Sequence, residues 1–253
     1  MARLTDITVL VTGAATALGT ATIGRLVGEG ASVIASEHNA KDARAPSEAL
    51  SERFGNYIEV LDIDVTDPTS WEAAAESISA SHGILHGLVN NATSVRTGAL
   101  TSMDPDDVRK MIEVNMLGPA LGIRTMAPLL GSSGGGSIVN IASTEAMRGA
   151  REAAVFAATN WGLRGLTRSA ALELGPQGIR VNTVCPSTGL MHGAVTGADR
   201  DGSGSVLADG GQARPVTMGD VAAMVTFLLS DDSATCTGGD FLVDAGSAAG
   251  ESL

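Results

Sequence analysis

Tyrosine and lysine are almost missing from this chain. Its 253 residues include one tyrosine, Tyr57, and two lysines, Lys41 and Lys110, so chemistry that needs a phenol or an amine has few places to sit. Two cysteines, Cys185 and Cys236, make no disulfide framework and have no metal-ligand spacing. His82 and His86 stand at helical i, i+4 spacing, but Gly83 and an apparent strand start at Leu85 break it, so no metal is expected. Long apolar runs are absent as well. No segment reads as a membrane span and the start does not read as a signal peptide, so a cytoplasmic protein is the expectation. Positive charge is scarce: 16 Lys and Arg against 28 Asp and Glu give a net charge of −12. With no basic stripe to offset that field, nucleic acid is excluded as a partner.

What is present is a foldable composition, 44% hydrophobic and 17% charged. Apolar runs rich in β-branched residues predict strands at Ile7–Val11, Ser32–Ser36, Ile58–Val65, Gly87–Asn90, Ser137–Ile141, Arg180–Val184 and Phe241–Val243. Continuous runs such as V-L-V-T-G suit strands buried on both faces, the habit of parallel sheets. Asp67-Pro68 and Asp104-Pro105 each read as an N-cap followed by proline at the first helical position. Strand and helix alternate without a linker over residues 1–253. The predicted fold class is therefore α/β, a single doubly wound parallel sheet of about seven strands with helices on both faces. One irregular stretch, residues 187–212, reads as a lid-like loop.

Ligands of such sheets bind beyond the carboxyl ends of the strands, where strand order switches. The first of those ends carries T-G-A-A-T-A-L-G, Thr12–Gly19, opening a helix. Gly13 permits a tight turn, Gly19 close packing of helix on sheet, and the helix N-terminus offers N–H groups to a pyrophosphate. The middle glycine of a dinucleotide loop is here Ala17, and a plain strand–helix turn is the competing reading. Glu37 ends the second strand, where a carboxylate accepts hydrogen bonds from both ribose hydroxyls of an adenosine and repels a 2′-phosphate. NAD(H) is expected ahead of NADP(H), with a solvated acid and no cofactor as the alternative.

Further motifs follow in order: D-V at Asp64-Val65, N-N-A at Asn90–Ala92, V-N at Val114-Asn115, I-V-N-I-A-S at Ile138–Ser143, R-V-N-T-V-C-P at Arg180–Pro186 and V-D-A-G at Val243–Gly246. With the glycine-rich turn they resemble the short-chain dehydrogenases/reductases, in the short single-domain branch, from Thr5 to Gly246. The resemblance implies a Rossmann-like fold and a cofactor site of Gly13, Thr16, Leu18, Gly19, Glu37, Asp64, Val65, Asn90, Ala92 and Pro186. It implies that Asn115 and Ser143 take the family's catalytic Asn and Ser positions. The family's Y-x-x-x-K falls on Phe156 and Asn160. Glu145 and His192 fall where the family meets substrate, although a surface ion pair of Glu145 with Arg148 and an exposed loop histidine are equally good readings. Thr93 and Ser187 stand where the family has glycines.

In the family the tyrosine hands a proton to the carbonyl oxygen as hydride arrives, while the lysine lowers that tyrosine's pKa from ~10 and holds the nicotinamide ribose. Phenylalanine has no proton to give and asparagine no charge. Tyr57, at the start of the third strand, lies at the wrong end of the sheet to replace them. Three functions follow as expectations. The first is carbonyl/alcohol redox chemistry on a small organic molecule, with the proton taken from the substrate, water or His192. The second is non-redox chemistry such as cyclisation, isomerisation or elimination. The third is an inactive subunit paired with an active relative. A homodimer or homotetramer through helices at about residues 106–130 and 150–174 is expected, a hetero-oligomer being the alternative.

Overall fold

Alternate residues of each strand go to opposite faces of the sheet, and here both faces are apolar. Val9, Val11, Val33 and Ala35 join one buried cluster, while Leu10 and Ile34 between them join another. The computed structural model describes residues 2–38, 44–187 and 216–249. Apart from Ser187, the expected lid at 187–212 lies outside the described residues, and so does His192.

Seven strands form one sheet: β1 (Thr8–Thr12), β2 (Ser32–Glu37), β3 (Ile58–Asp62), β4 (Gly87–Asn90), β5 (Gly136–Ile141), β6 (Ile179–Pro186) and β7 (Asp240–Val243). Their order is β3-β2-β1-β4-β5-β6-β7, and every neighbouring pair is parallel. The order reverses between β1 and β4, so a crevice opens at the carboxyl ends of those two strands.

The helices are α1 (Ala17–Gly28), α2 (Arg44–Phe54), α3 (Pro68–Ser81), α4 (Pro105–Ile112), α5 (Gly118–Ser132), α6 (Ala154–Leu174) and α7 (Met218–Leu229). Ile23 and Leu26 of α1 pack with Val221, Val225 and Leu228 of α7 on one face. Trp71 and Ile78 of α3, Met126 and Leu130 of α5, and Ala170 of α6 cover the other. The expected caps are in place: Asp67 accepts from the Thr69 N–H at 3.0 Å and Asp104 from the Asp106 N–H at 2.8 Å.

Strand ends move by one or two residues at several places, and boundaries differ most in three. The third strand stops at Asp62 rather than Val65, because Asp64 turns out to accept from the Thr66 N–H and hydroxyl at 2.9 and 2.7 Å. The helix expected over about 106–130 is interrupted by a π turn, Glu113–Leu117, which carries Asn115. The next one begins at Ala154, after a turn in which Glu152 has φ 60°. Trp161 stands half exposed with the Arg164 guanidinium 5.1 Å from its ring centre. No helix among the described residues is long and apolar enough to cross a membrane.

Candidate functional site

The turn after β1 is held from three sides. Gly13 has φ +61°, and a Cβ there would come within 2.8 Å of the Ala92 backbone. A Cβ on Gly19 would stand 2.3 Å from the Gly13 carbonyl oxygen, so α1 approaches the turn only because residue 19 has no side chain. The Asn91 amide donates to the carbonyls of Thr12 and Gly13, both at 2.9 Å, and to the Thr16 hydroxyl at 3.2 Å. Thr16 caps α1 by accepting from the Gly19 N–H at 3.0 Å.

Beside this turn lies a cleft of about 760 Å³. Gly13, Thr16, Glu37, Asp64, Val65 and Ala92 line it, with His38 and Thr93; α4 adds Asp106, Arg109 and Lys110, and the π turn adds Glu113. Glu37 accepts from the Ala15 N–H at 2.8 Å. Its pKa is raised, mainly by partial burial, against the opposing hydrogen bonds from the Ala15 and His38 backbone. His38 sits between two acids, its Nδ1 3.0 Å from Asp62 and its Nε2 3.5 Å from Asp64.

The π turn delivers Asn115, which shares a small second cavity with the cleft residues Ala92 and Thr93, and the turn after β5 carries Ser143. Asn115 is locked by its amide: Oδ1 accepts from the Ser94 N–H at 2.8 Å, and Nδ2 donates to the Ser94 carbonyl at 2.9 Å and the Thr159 hydroxyl at 3.2 Å. Thr93 also donates to Asn115 Oδ1, at 3.3 Å. Ser143 is fully buried; its Oγ accepts from the Glu145 N–H at 3.1 Å and donates to Glu145 Oε2 at 2.5 Å. Phe156, 1% exposed, packs against Val95 and Met111, with Met103 beside them. The Asn160 amide donates to the Phe156 carbonyl at 2.7 Å. A residual cavity of about 10 Å³ under Thr93, Asn115, Thr159 and Asn160 has room for about one water.

Residues 13–248 match the family model described as enoyl-(acyl carrier protein) reductase. The chain is 36% identical over 249 residues to a 3-alpha-(or 20-beta)-hydroxysteroid dehydrogenase of Mycobacterium tuberculosis, covering 98% of this chain and 92% of that one. It is 32% identical to a trans-4-hydroxycyclohexanecarboxylate dehydrogenase of Sinomonas cyclohexanicum, over 99% and 96% of the two chains. A solved short-chain type dehydrogenase/reductase from Mycobacterium ulcerans superposes with a TM-score of 0.85 at 29% identity, covering 98% of this chain and 92% of that one. The chain belongs to the short-chain dehydrogenase/reductase family.

Within that family frame, the expected cofactor residues separate into three groups. Gly13, Thr16, Glu37, Asp64, Val65 and Ala92 line the cleft itself. Leu18 and Gly19 lie behind it, one buried in the core and the other in the helix–turn contact. The Asn90 side chain is directed away into the core, where its amide donates to Asn140 Oδ1 at 2.8 Å. Pro186 closes β6 beside β7, paired with Val243. Glu145 is no surface ion-pair partner of Arg148. It is 4% exposed and bonded to Ser143, while Arg148 donates to the Ser247 carbonyl. Sequence reasoning left unassigned the cleft residues of α4 and the π turn, and also Asn91, Thr159 and His38. Asn91 holds the turn, Thr159 backs Asn115 and His38 bridges two acids; of these only Asn91 stood inside a quoted motif.

The residues present fit the adenosine half of a nicotinamide dinucleotide. Gly13 and Thr16 of the turn line the cleft beside the start of α1, and the Glu37 carboxylate faces the cleft where ribose hydroxyls would bind.

Proposed function

We propose that this protein is an NAD(H)-linked dehydrogenase/reductase that interconverts a small cyclic secondary alcohol and its ketone without a tyrosine acid. The observation that carries this reading is Glu37, a cleft-facing carboxylate at the end of β2 held against the glycine-rich turn through the Ala15 N–H. It supplies acceptors for two ribose hydroxyls and repels a 2′-phosphate, which at ~4 Å is worth roughly 4 kcal/mol at a surface-like effective dielectric. The cyclic alcohol class comes from the relatives, named for hydroxysteroid and hydroxycyclohexanecarboxylate oxidation.

When bound, the dinucleotide would accept or supply the hydride. Asp64 and Val65 would flank the adenine, Gly13 and Thr16 the phosphates, and Ser143 would hold the reacting oxygen. Phe156 and Asn160, read as the replacements of the family's Tyr and Lys, give that end neither proton nor positive charge.

A second reading, an inactive subunit assembled with an active relative, is favoured by one observation. Ile112, Leu117, Trp161 and Leu172 of α4, the π turn and α6 are exposed, with Leu172 at 82%. Thermal unfolding with each of the four nicotinamide nucleotides separates the two. A ligand at 100 Kd adds ~2.7 kcal/mol, roughly 5–10 °C for a domain of this size. The dehydrogenase reading expects that shift with NAD⁺ or NADH; no shift with any nucleotide at millimolar concentration would favour the subunit.

A further inference from the structure

Phe156 and Asn160 offer no proton, yet a buried acid is held against Ser143, the hydroxyl at the family's catalytic Ser position. Glu145 is nine-tenths buried or more, and the Ser143 hydroxyl donates to its Oε2 at 2.5 Å. The contact is a close, direct hydrogen bond between a hydroxyl and a carboxyl group. A hydroxyl held to a carboxylate in this way is also the arrangement by which a base takes a proton from an alcohol. From it we infer that Glu145 is the acid/base of this enzyme and acts through Ser143.

Asp240, at the start of β7, and Asp244, just past its end, hold other groups. Asp244 accepts from the Gly246 and Ala248 N–H groups at 2.9 and 2.7 Å and from the Ser247 hydroxyl at 3.3 Å. Asp240 is held by Arg164 at 2.9 Å and by Arg168. Ser187, at the end of neighbouring β6, has a buried hydroxyl with no hydrogen-bond partner. A polar ligand atom bound between the ends of β5 and β6 would satisfy it.

In the oxidative direction the substrate hydroxyl passes its proton to Ser143 Oγ as the Ser143 proton moves to a Glu145 carboxylate oxygen. The carbinol C–H pair leaves as hydride to an oxidised nicotinamide dinucleotide, the C–O bond becomes C=O, and Glu145 returns its proton to water. Reduction runs each transfer backwards. Glu145, reached through Ser143 Oγ, takes the proton-transfer part of the missing phenol.

This inference rests on the dehydrogenase reading, and its test separates the two. Glu145→Gln keeps the hydrogen-bonding shape and removes the proton site. Turnover of cyclohexanol with NAD⁺ should fall on the order of 10²–10⁴-fold, while the variant stays folded and NAD⁺ binding holds. A folded variant within threefold of the parent would overturn the inference. The second arm needs no cofactor: the carboxyl ¹³C resonance of Glu145, assigned by its loss in the Gln variant, is followed as cyclohexanol saturates the protein. A shift that Ser143→Ala abolishes supports the pair; no shift overturns it. If the parent neither binds nucleotide nor turns over alcohol, the dehydrogenase reading fails on its own, and the ¹³C arm still decides whether Glu145 meets the ligand.

Discussion

The Asn160 side chain donates its amide to the carbonyl oxygen of Phe156, one turn earlier on the same helix, at 2.7 Å. Both residues are buried, and the bond closes the pair on itself. Asn160 satisfies its donor within α6 rather than reaching into the cleft, and Phe156 fills an apolar niche against Val95 and Met111.

These are the two positions proposed to replace the family's Tyr and Lys, and installing those residues there tests the proposal. Phe156→Tyr with Asn160→Lys is expected to raise NADH-dependent reduction of cyclohexanone by about 10²-fold or more, the usual worth of a positioned acid. Steady-state rates of purified parent and double variant measure it. A folded, NADH-binding variant no faster than the parent would show that Phe156 does not border the reacting carbonyl.

Glu37 predicts a pH dependence with two opposite signs. Its pKa lies above the ordinary 4.5 because burial disfavours the charge. A raised folded-state pKa means that the protonated form is favoured on folding. That contribution to the free protein is full below the unfolded value and is lost as pH rises through the folded one. NAD⁺ needs the ionised form, so its thermal shift should shrink as pH falls through the same window, while the ligand-free protein gains stability there. Glu37→Gln should remove both trends and narrow the preference for NAD⁺ over NADP⁺ roughly tenfold or more. Thermal scans from about pH 4 to 8 with and without nucleotide check it.

A buried polar chain joins three strands to α6. Asn90 donates to Asn140 at 2.8 Å, Asn140 to Thr167 at 2.9 Å, and Thr183 to Thr167 at 2.9 Å. Asn140→Ala strands the Asn90 amide in the core and should cost about 2–3 kcal/mol, read as a lowered denaturant midpoint with an unchanged m-value.

Cys185 is buried at the end of β6, and burial pushes its thiol up to about 12. It should resist thiol reagents at pH 8 in the native state and react at the rate of unfolding, which counting labelled Cys185 by peptide mapping over time will show.

The sheet was legible because its residues say one thing at every level. Runs such as V-L-V are apolar on both faces, and Asp-Pro pairs announce helix starts, so strand number and helix placement followed directly. The π turn at Glu113–Leu117 was not legible, since its local sequence is compatible with continuous helix and the distortion comes from Asn115 binding the Ser94 backbone. The turn-facing role of Asn91 and the inward turn of Asn90 were likewise hidden. Neighbours in a strand point to opposite faces, and the sequence does not say which partner awaits each. Glu145 was the most misleading residue. Three positions before an arginine it reads as half of a surface pair, yet the short turn after β5 folds it under Ser143, a contact made by the backbone path.

The most direct test of the account is the appearance of reduced nicotinamide, followed by its near-ultraviolet absorbance, when purified protein is mixed with NAD⁺ and a panel of cyclic secondary alcohols. The account predicts slow turnover with NAD⁺, weaker turnover with NADP⁺, and a loss of both in Glu145→Gln. Absence of any reduced nicotinamide from a folded parent that also shows no thermal shift with NAD⁺ would contradict it.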